Sequence, residues 1–313
     1  MTKVFIDGSA GTTGLRIFDR LKERSDISLI TLSEDKRKDT ESRRQALNES
    51  DIAFLCLPDE AAKEAVGLIE NENTAVIDTS TAHRTDSGWV YGFPELSGQR
   101  EKIKGSKRIA NPGCHASGFI ALVKPLIDSG VIPSDYNFSC FSLTGYSGGG
   151  KKMIAEYESA NRDPLLKAPR QYGLTQEHKH LKEMKIVTGI NNSPVFCPIV
   201  ADFYSGMEVT VPLFASDLGI NKEKIAEIYK EYYKTGAVHF DENVSESGFL
   251  SASAFSRLDD MQISVFGNDE RITLCARYDN LGKGASGAAI QNMNILLGVD
   301  EATGLGGFFR RIT

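Results

Sequence analysis

Apolar positions in the first hundred residues come in short bursts. Val4-Phe5-Ile6 ends at Asp7 and the turn Gly8-Ser9-Ala10-Gly11-Thr12-Thr13-Gly14, after which Leu15, Ile17, Phe18 and Leu21 recur at helical spacing. Further apolar runs follow at 27–32, at 52–57 (closed by Pro58-Asp59) and at 75–78. Between them lie a polar stretch at 34–48 and a helical one at 60–69. Near-continuous apolar strands alternating with helices predict a doubly wound parallel sheet covered on both faces. The pattern then changes. Residues 117–127 predict a helix ended at Gly130, and β-rich runs follow at 138–144, 195–204, 207–214, 263–266 and 272–278. One clear helix, 222–234, interrupts them, which predicts an α+β domain with a largely antiparallel sheet. The stretch 284–297 reads as helix again.

Composition narrows the function classes. The chain has 313 residues, 41% hydrophobic and 25% charged, enough for two soluble domains. With 36 Lys+Arg against 42 Asp+Glu the net charge is −6, which argues against nucleic acid, since a phosphate backbone needs a basic face. No apolar run reaches the length of a membrane span, and residues 1–8 enter a strand without a signal-peptide pattern, so a cytoplasmic protein is expected. The cysteines, Cys56, Cys114, Cys140, Cys197 and Cys275, are odd in number, widely spaced and without CxxC. That is neither a disulfide framework nor a metal site. All but Cys114 sit in apolar or strand-like runs and read as small buried hydrophobes.

The glycine turn sits between the first strand and the first helix of a βαβ unit. Gly8, Gly11 and Gly14 there permit a tight turn and close approach of a pyrophosphate, which meets free N–H groups at the helix N-terminus. Gly8 to Gly14, with Ser9, Ala10, Thr12 and Thr13, are therefore the expected dinucleotide loop of a Rossmann-like domain, although GxxGxxG is not the GxGxxG fingerprint. After the second strand, Ser33, Lys36 and Arg37 are placed to hold a 2′-phosphate, favouring NADP over NAD, with Glu34 and Asp35 alongside. The division expected is 1–113 for dinucleotide binding and 114–283 for catalysis, substrate and oligomerisation, with a closing helical segment 284–313 rejoining the first domain.

Asn111-Pro112-Gly113-Cys114-His115 puts a thiol just after a Pro-Gly turn and at the start of an amphipathic helix. A helix N-terminus favours the nucleophilic thiolate, so Cys114 is the candidate nucleophile against a plain structural cysteine. Asn111 is the candidate donor to a developing oxyanion. Of the histidines, His115 adjoins the thiol but is expected on another helix face, and His83 and His239 read as ordinary polar residues. His178-Lys179-His180 lies in a polar stretch, 176–185, that is expected to project; no third ligand at metal spacing accompanies it.

Together these segments resemble the short bacterial form of the N-acetyl-gamma-glutamyl-phosphate reductases. The resemblance rests on the glycine turn, Leu57-Pro58-Asp59, the stretch from Asp78 to Thr85, Gly92-Phe93-Pro94-Glu95 and Asn111-Pro112-Gly113-Cys114. Gly145-Tyr146-Ser147-Gly148-Gly149-Gly150-Lys151, His178-Lys179-His180 and the stretch from Asp279 to Gly287 complete it. One departure is His180-Leu181-Lys182-Glu183, where the family commonly has His-x-Pro-Glu. The resemblance implies NADPH-dependent reduction of an acyl phosphate through a cysteine thioester, on an architecture shared with aspartate-semialdehyde and glyceraldehyde-phosphate dehydrogenases. It implies His180, followed by x-x-Glu183, as the proton-transfer residue, with His178 the second candidate. Family members associate, so a homo-oligomer is expected. Arg84 is expected near the substrate's anionic groups. Ser147 and Gly148 are expected at the substrate phosphate and Asn280 and Gly284 at the nicotinamide, the two glycine-rich loops closing from opposite sides. The competing readings are a reductase of another acyl phosphate, such as aspartyl phosphate, and a nucleotide-binding redox sensor in which Cys114 is oxidised.

Overall fold

A computed structural model describes residues 1–309 of the chain. Among these residues the chain divides into two compact units, one of Met1–Pro94, Gly98–Pro112 and Ala285–Leu305, the other of Glu95–Ser97, Gly113–Gly284 and the residues after Leu305.

The first unit is built on β1 (Thr2–Asp7), β2 (Ile27–Ile30), β3 (Ile52–Leu55), β4 (Ala75–Asp78), β5 (Val90–Tyr91) and β6 (Arg108–Ala110). They form one parallel sheet in the order β2-β1-β3-β4-β6-β5. Alternate residues go to opposite faces. Val4, Ile6, Phe54 and Ile77 pack with Ile17, Leu21, Ile290 and Met293 from helices Thr12–Leu21 and Gly287–Leu297. Phe5, Ala53, Leu55 and Val76 pack on the other side with Leu47, Ala62 and Ala65 from helices Thr40–Glu49 and Asp59–Gly67. Helix Thr40–Glu49 lies in the stretch that reads simply as polar. It buries little besides Ala46, Leu47 and Arg43, and it starts because Asp39 accepts a hydrogen bond from the Ser42 amide.

The second unit holds β7 (Ser139–Gly145), β8 (Arg170–Gln171), β9 (Val195–Ala201), β10 (Met207–Phe214), β11 (Val238–Phe240), β12 (Met261–Gly267) and β13 (Arg271–Tyr278). Their order is β11-β12-β13-β10-β7-β9-β8, antiparallel throughout except β7–β9 and β11–β12. Helix Cys114–Asp128 packs on this sheet with Ala116, Phe119, Ile120 and Val123 fully buried. Pro125 lacks the N–H that would bond the Ala121 carbonyl, and the buried Tyr233 hydroxyl donates to that carbonyl at 2.8 Å instead. The closing segment is a helix only over Gly287–Leu297, preceded by a wider turn at Gly282–Ser286 and followed by turns. The expected segment 284–313 also includes 310–313, which lie outside the described residues. Among the described residues, no helix is long and apolar enough to cross a membrane.

A buried ion pair ties the second unit's outlying strip to its body. Lys283 Nζ lies 2.7 and 2.9 Å from the Glu95 carboxylate oxygens, and Glu95 also accepts from the Ala237 amide at 2.9 Å. Losing one partner strands the other charge in the interior. Lys283→Met is therefore expected to cost about 3–5 kcal/mol in urea unfolding. Adding Glu95→Gln should recover most of that loss, because a neutral amide oxygen still accepts from Ala237.

Candidate active site

Helix Cys114–Asp128 has no side-chain cap at its start; Gly113 is extended and hands over directly to Cys114. The thiol therefore belongs to the first residue of the helix, at the positive end of its dipole. Three groups fix that start. The Glu183 carboxylate accepts from the Gly113 amide at 2.7 Å. The Tyr278 hydroxyl donates to the Cys114 carbonyl at 2.5 Å and accepts from the Gly118 amide at 3.1 Å, bridging two groups one helical turn apart. Gly284 presses on the cysteine itself: a Cβ there would stand 3.0 Å from the Cys114 Cβ. The other cysteines differ. Burial pushes the Cys56 and Cys275 thiols up to about 12 and drives Cys140 further in the same direction, whereas Cys114 is half-buried. Cys140 and Cys275 are buried as expected; Cys56 and Cys197 are only half-buried.

The histidine segment does not project. His180 is buried and opens helix His180–Thr188, and Glu183 sits one turn further along the same helix. Glu183, bonded to Gly113, thus ties the start of the His180 helix to the start of the Cys114 helix. His178 is half-buried just before it, its ring centroid 4.8 Å from that of His180, and burial lowers its pKa. Lys182, where the family commonly has proline, is exposed in the first turn, where an amide has no intrahelical partner whichever residue is present. The helix starts all the same.

His115, expected on another helix face than Cys114, joins this histidine cluster. Its ring lies 5.7 Å from His178, 5.5 Å from His180 and 5.4 Å from Phe196, with Tyr172 bonded to its Nε2. The rings pack on one another's edges; among the described residues no group of three or more His, Cys, Asp or Glu side chains is set to hold a metal.

Both glycine-rich loops meet in the second unit. The fully buried Asp279 carboxylate accepts from the Leu281 amide at 2.6 Å, the Gly282 amide at 3.1 Å and the Ser205 hydroxyl at 2.9 Å, which folds the 279–284 loop around it. Asn280 accepts from the Gly206 amide and donates to Ser147 Oγ, each at 3.0 Å. A Cβ on Gly148 would stand 3.4 Å from the Asn280 amide. The expectation that these loops close from opposite sides is therefore corrected: they are bonded to each other and form one wall. Close approach, with Cys114 as neighbour, is what requires glycine at 284.

In the first unit the glycine turn is tight. Gly8 has φ +86°, and a Cβ on it would lie 2.3 Å from the Cys56 carbonyl oxygen; a Cβ on Gly14 would lie 2.4 Å from that of Gly8. Gly11, the last residue before helix Thr12–Leu21, has nothing nearer than 3.4 Å to where its Cβ would be. Thr12 Oγ1, in the first turn, is buried and without a hydrogen-bond partner among the described residues. Open space at Gly11, free helix amides and an unspent hydroxyl fit the pyrophosphate of a dinucleotide, with Ser9, Ala10 and Thr13 on the same turn. Ser33, Lys36 and Arg37 share one exposed turn, the Lys36 and Arg37 amides both bonded to the Ser33 carbonyl at 3.0 and 3.1 Å.

Two expected substrate residues are engaged by the first unit's own backbone. Arg84 donates to the carbonyls of Asn111 at 2.9 Å and Thr79 at 3.0 Å, bracing the ends of β6 and β4. Asn111, 1% exposed, donates to the Ala285 carbonyl at 3.0 Å and receives a bond from Asn292. Its amide thus spends one of its two N–H donors on a brace to Ala285. His83 is likewise held, 2.6 Å from the buried Asp78 carboxylate and stacked on Trp89. Sequence reasoning missed the contacts of Tyr278, Tyr172 and His115 and gave Asp279 only as part of a resembling stretch. Tyr278, Tyr172 and Asp279 lie inside or beside a strand and His115 in the first turn of a helix, with no spacing signal to mark their partners.

Residues 3–106 match the family model for the semialdehyde dehydrogenase NAD binding domain, and residues 114–280 match that for the semialdehyde dehydrogenase dimerisation domain. The chain is 45% identical to N-acetyl-gamma-glutamyl-phosphate reductase 2 of Nostoc sp., over 97% of this chain and 99% of that protein. It is also 45% identical to the N-acetyl-gamma-glutamyl-phosphate reductase of Brucella ovis, over 95% of this chain and 99% of that one. Among solved structures, aspartate semialdehyde dehydrogenase II of Vibrio cholerae superposes with a TM-score of 0.69 at 16% identity, over 95% of this chain and 98% of that one. The Candida albicans aspartate semialdehyde dehydrogenase, solved with NADP, gives 0.68 at 14% identity, over 94% and 98%. These structures share the fold, one parallel sheet and one mixed sheet. By sequence, the chain belongs to the N-acetyl-gamma-glutamyl-phosphate reductase family of semialdehyde dehydrogenases.

Proposed function

We propose that this protein reduces N-acetyl-L-glutamyl 5-phosphate to N-acetyl-L-glutamate 5-semialdehyde and phosphate, with NADPH as reductant, in arginine biosynthesis. The observation that carries this reading is the half-buried Cys114 at a helix start that Glu183 ties to the helix of His180. The names of the 45%-identical relatives supply the substrate. His180 takes the thiol proton and passes it to the leaving phosphate, while the Cys114 sulfur bonds to the acyl carbon and the carbon–oxygen bond to phosphate breaks. The reduced nicotinamide, when bound, supplies a hydride to the thioester carbonyl. Collapse of the resulting alkoxide breaks the carbon–sulfur bond and frees the aldehyde and the thiolate.

The turn from Gly8 to Gly14 holds the dinucleotide pyrophosphate, and Ser33, Lys36 and Arg37 hold the 2′-phosphate of NADP. Ser147 and Gly148 face the substrate phosphate; Asn280 holds Ser147 in place, and Gly284 leaves room for Cys114. Arg84 and Asn111 serve by bracing strand ends. The active form is a homo-oligomer joined through the outer face of the second sheet. Phe141, Val195 and Phe214 lie exposed on that face at 45%, 57% and 58%. Five free cysteines suit a reducing compartment, and the reaction is assigned to the cytoplasm.

The test is phosphate-dependent oxidation of two semialdehydes by the purified protein. N-acetylglutamate semialdehyde should reduce NADP and aspartate semialdehyde should not; the reverse preference would overturn the substrate assignment. Cys114→Ser should lower turnover by several orders of magnitude and leave NADPH binding intact, and a variant retaining more than about a tenth of the rate removes Cys114 as nucleophile. His180→Asn should cost about 10²–10⁴-fold. A larger loss in His178→Asn would move the proton-transfer role to His178. Replacing Lys36 and Arg37 together by Ala should raise the KM for NADPH and spare NADH; equal effects would end that assignment.

A further inference from the structure

His115 follows the nucleophile directly, yet no step of the proposed reaction uses it. Its ring is 3% exposed. Nδ1 lies 2.6 Å from Ser142 Oγ and Nε2 2.6 Å from the Tyr172 hydroxyl oxygen. Burial, with His178 alongside, lowers its pKa to about 3, so the imidazole is neutral, with one ring nitrogen donating and the other accepting.

The two hydroxyls decide which is which. Among the described residues, His115 is the hydrogen-bond partner of both, and neither hydroxyl has another. Ser142 is fully buried, at 0% exposure, so its proton has neither water nor a second acceptor to turn to. A buried hydroxyl proton left unmatched is costly, so the Ser142 O–H donates to Nδ1. The ring proton then sits on Nε2 and is given to the Tyr172 oxygen. The phenol's own proton remains unspent. Tyr172 is half-buried, and its pKa is pushed upward by burial and by the nearby Cys114 charge, so it keeps that proton.

We infer that a Ser142–His115–Tyr172 chain aims the Tyr172 hydroxyl proton at an oxygen of the acyl substrate held at Cys114, with His115 as a positioning residue. The inference rests on the acyl-phosphate reading for the identity of that oxygen; the chain itself does not. Nuclear magnetic resonance of the full-length protein with ¹⁵N-labelled histidine tests the chain without any substrate, His115 being assigned by its loss in His115→Gln. The expected signature is a bare Nδ1 and a protonated Nε2 that do not titrate between about pH 5 and 9. A proton on Nδ1, or a midpoint near neutrality, would overturn the inference.

Kinetics tests the aim. Tyr172→Phe should lower kcat/KM for the acyl phosphate about 10- to 100-fold, the factor carried by one hydrogen bond to a charged group, and leave the KM for NADPH unchanged. His115→Asn, whose amide reaches only the Nδ1 position, should cost a similar factor. His115→Gln, whose amide reaches the Nε2 position, should restore most of it. The double variant His115→Asn with Tyr172→Phe should be no worse than Tyr172→Phe alone. Multiplied losses, or no rescue by glutamine, would mean that His115 acts through packing and would overturn the inference. An inactive wild-type enzyme would instead strike the substrate assignment, and the ¹⁵N measurement would still decide the chain.

Discussion

The start of helix Cys114–Asp128 is held by a carboxylate, a phenol and a missing side chain, and much of the second unit is arranged to supply them. Glu183 reaches it from helix His180–Thr188, Tyr278 from the end of β13, and Gly284 from the loop that follows β13. A helix start is where the chain has unpaired amides, and those amides give a thiol its electrostatic setting. Fraying would dissolve that setting. A terminus tied to a neighbouring helix and to the sheet cannot fray without breaking buried bonds. The Tyr278 bridge spans the Cys114 carbonyl and the Gly118 amide, so the first turn is fastened at both ends.

Buried carboxylates do similar work elsewhere. Asp279 gathers the amides of Leu281 and Gly282 and the Ser205 hydroxyl, which turns a flexible glycine-containing loop into a rigid wall. Glu95 is matched by Lys283 and the Ala237 amide. In the first unit, Asp7 at the end of β1 meets Arg43 at 3.0 Å; burial still raises its pKa, with the guanidinium opposing. Such groups are expensive to bury and add little net stability. What they fix is direction: Asp279 and Glu95 each accept from donors far apart in sequence, and no apolar side chain could hold those segments in one register.

How much of this was legible follows from what each signal depends on. The strands of the first unit are buried on both faces, so they read as unbroken apolar runs, and β1, β3 and β4 stand out in the sequence. β5 and β8 are two residues long and β6 and β11 three, too short for any period to show. The helix start at Cys114 was legible because Pro-Gly before a helix is a local pattern. Asn111 and Arg84 carried a plausible local signal too, but their bonds go to Ala285, Thr79 and other main-chain groups that no spacing rule connects. The glycines were legible as a class, not in their reasons: Gly8 needs its positive φ, whereas Gly284 needs room for a neighbour from 170 residues earlier.

The same logic separates one cysteine from the rest. All five are free thiols with the same intrinsic chemistry, and the fold grades them by surroundings. Cys56, Cys140 and Cys275 are desolvated among apolar neighbours, which disfavours the charged form and keeps each as a thiol; nearby carboxylates, Asp78 for Cys56 and Glu208 for Cys275, push the same way. Cys114 has the opposite company: a helix start, partial exposure, and a buried, neutral imidazole at the next residue that places no competing charge beside it. A cationic His115 would steady a thiolate but would also hold it back from attack, and its protonated Nδ1 could no longer accept from the Ser142 hydroxyl. By burying that ring and spending its nitrogens on two hydroxyls, the fold keeps a cation from forming at the residue next to the thiol.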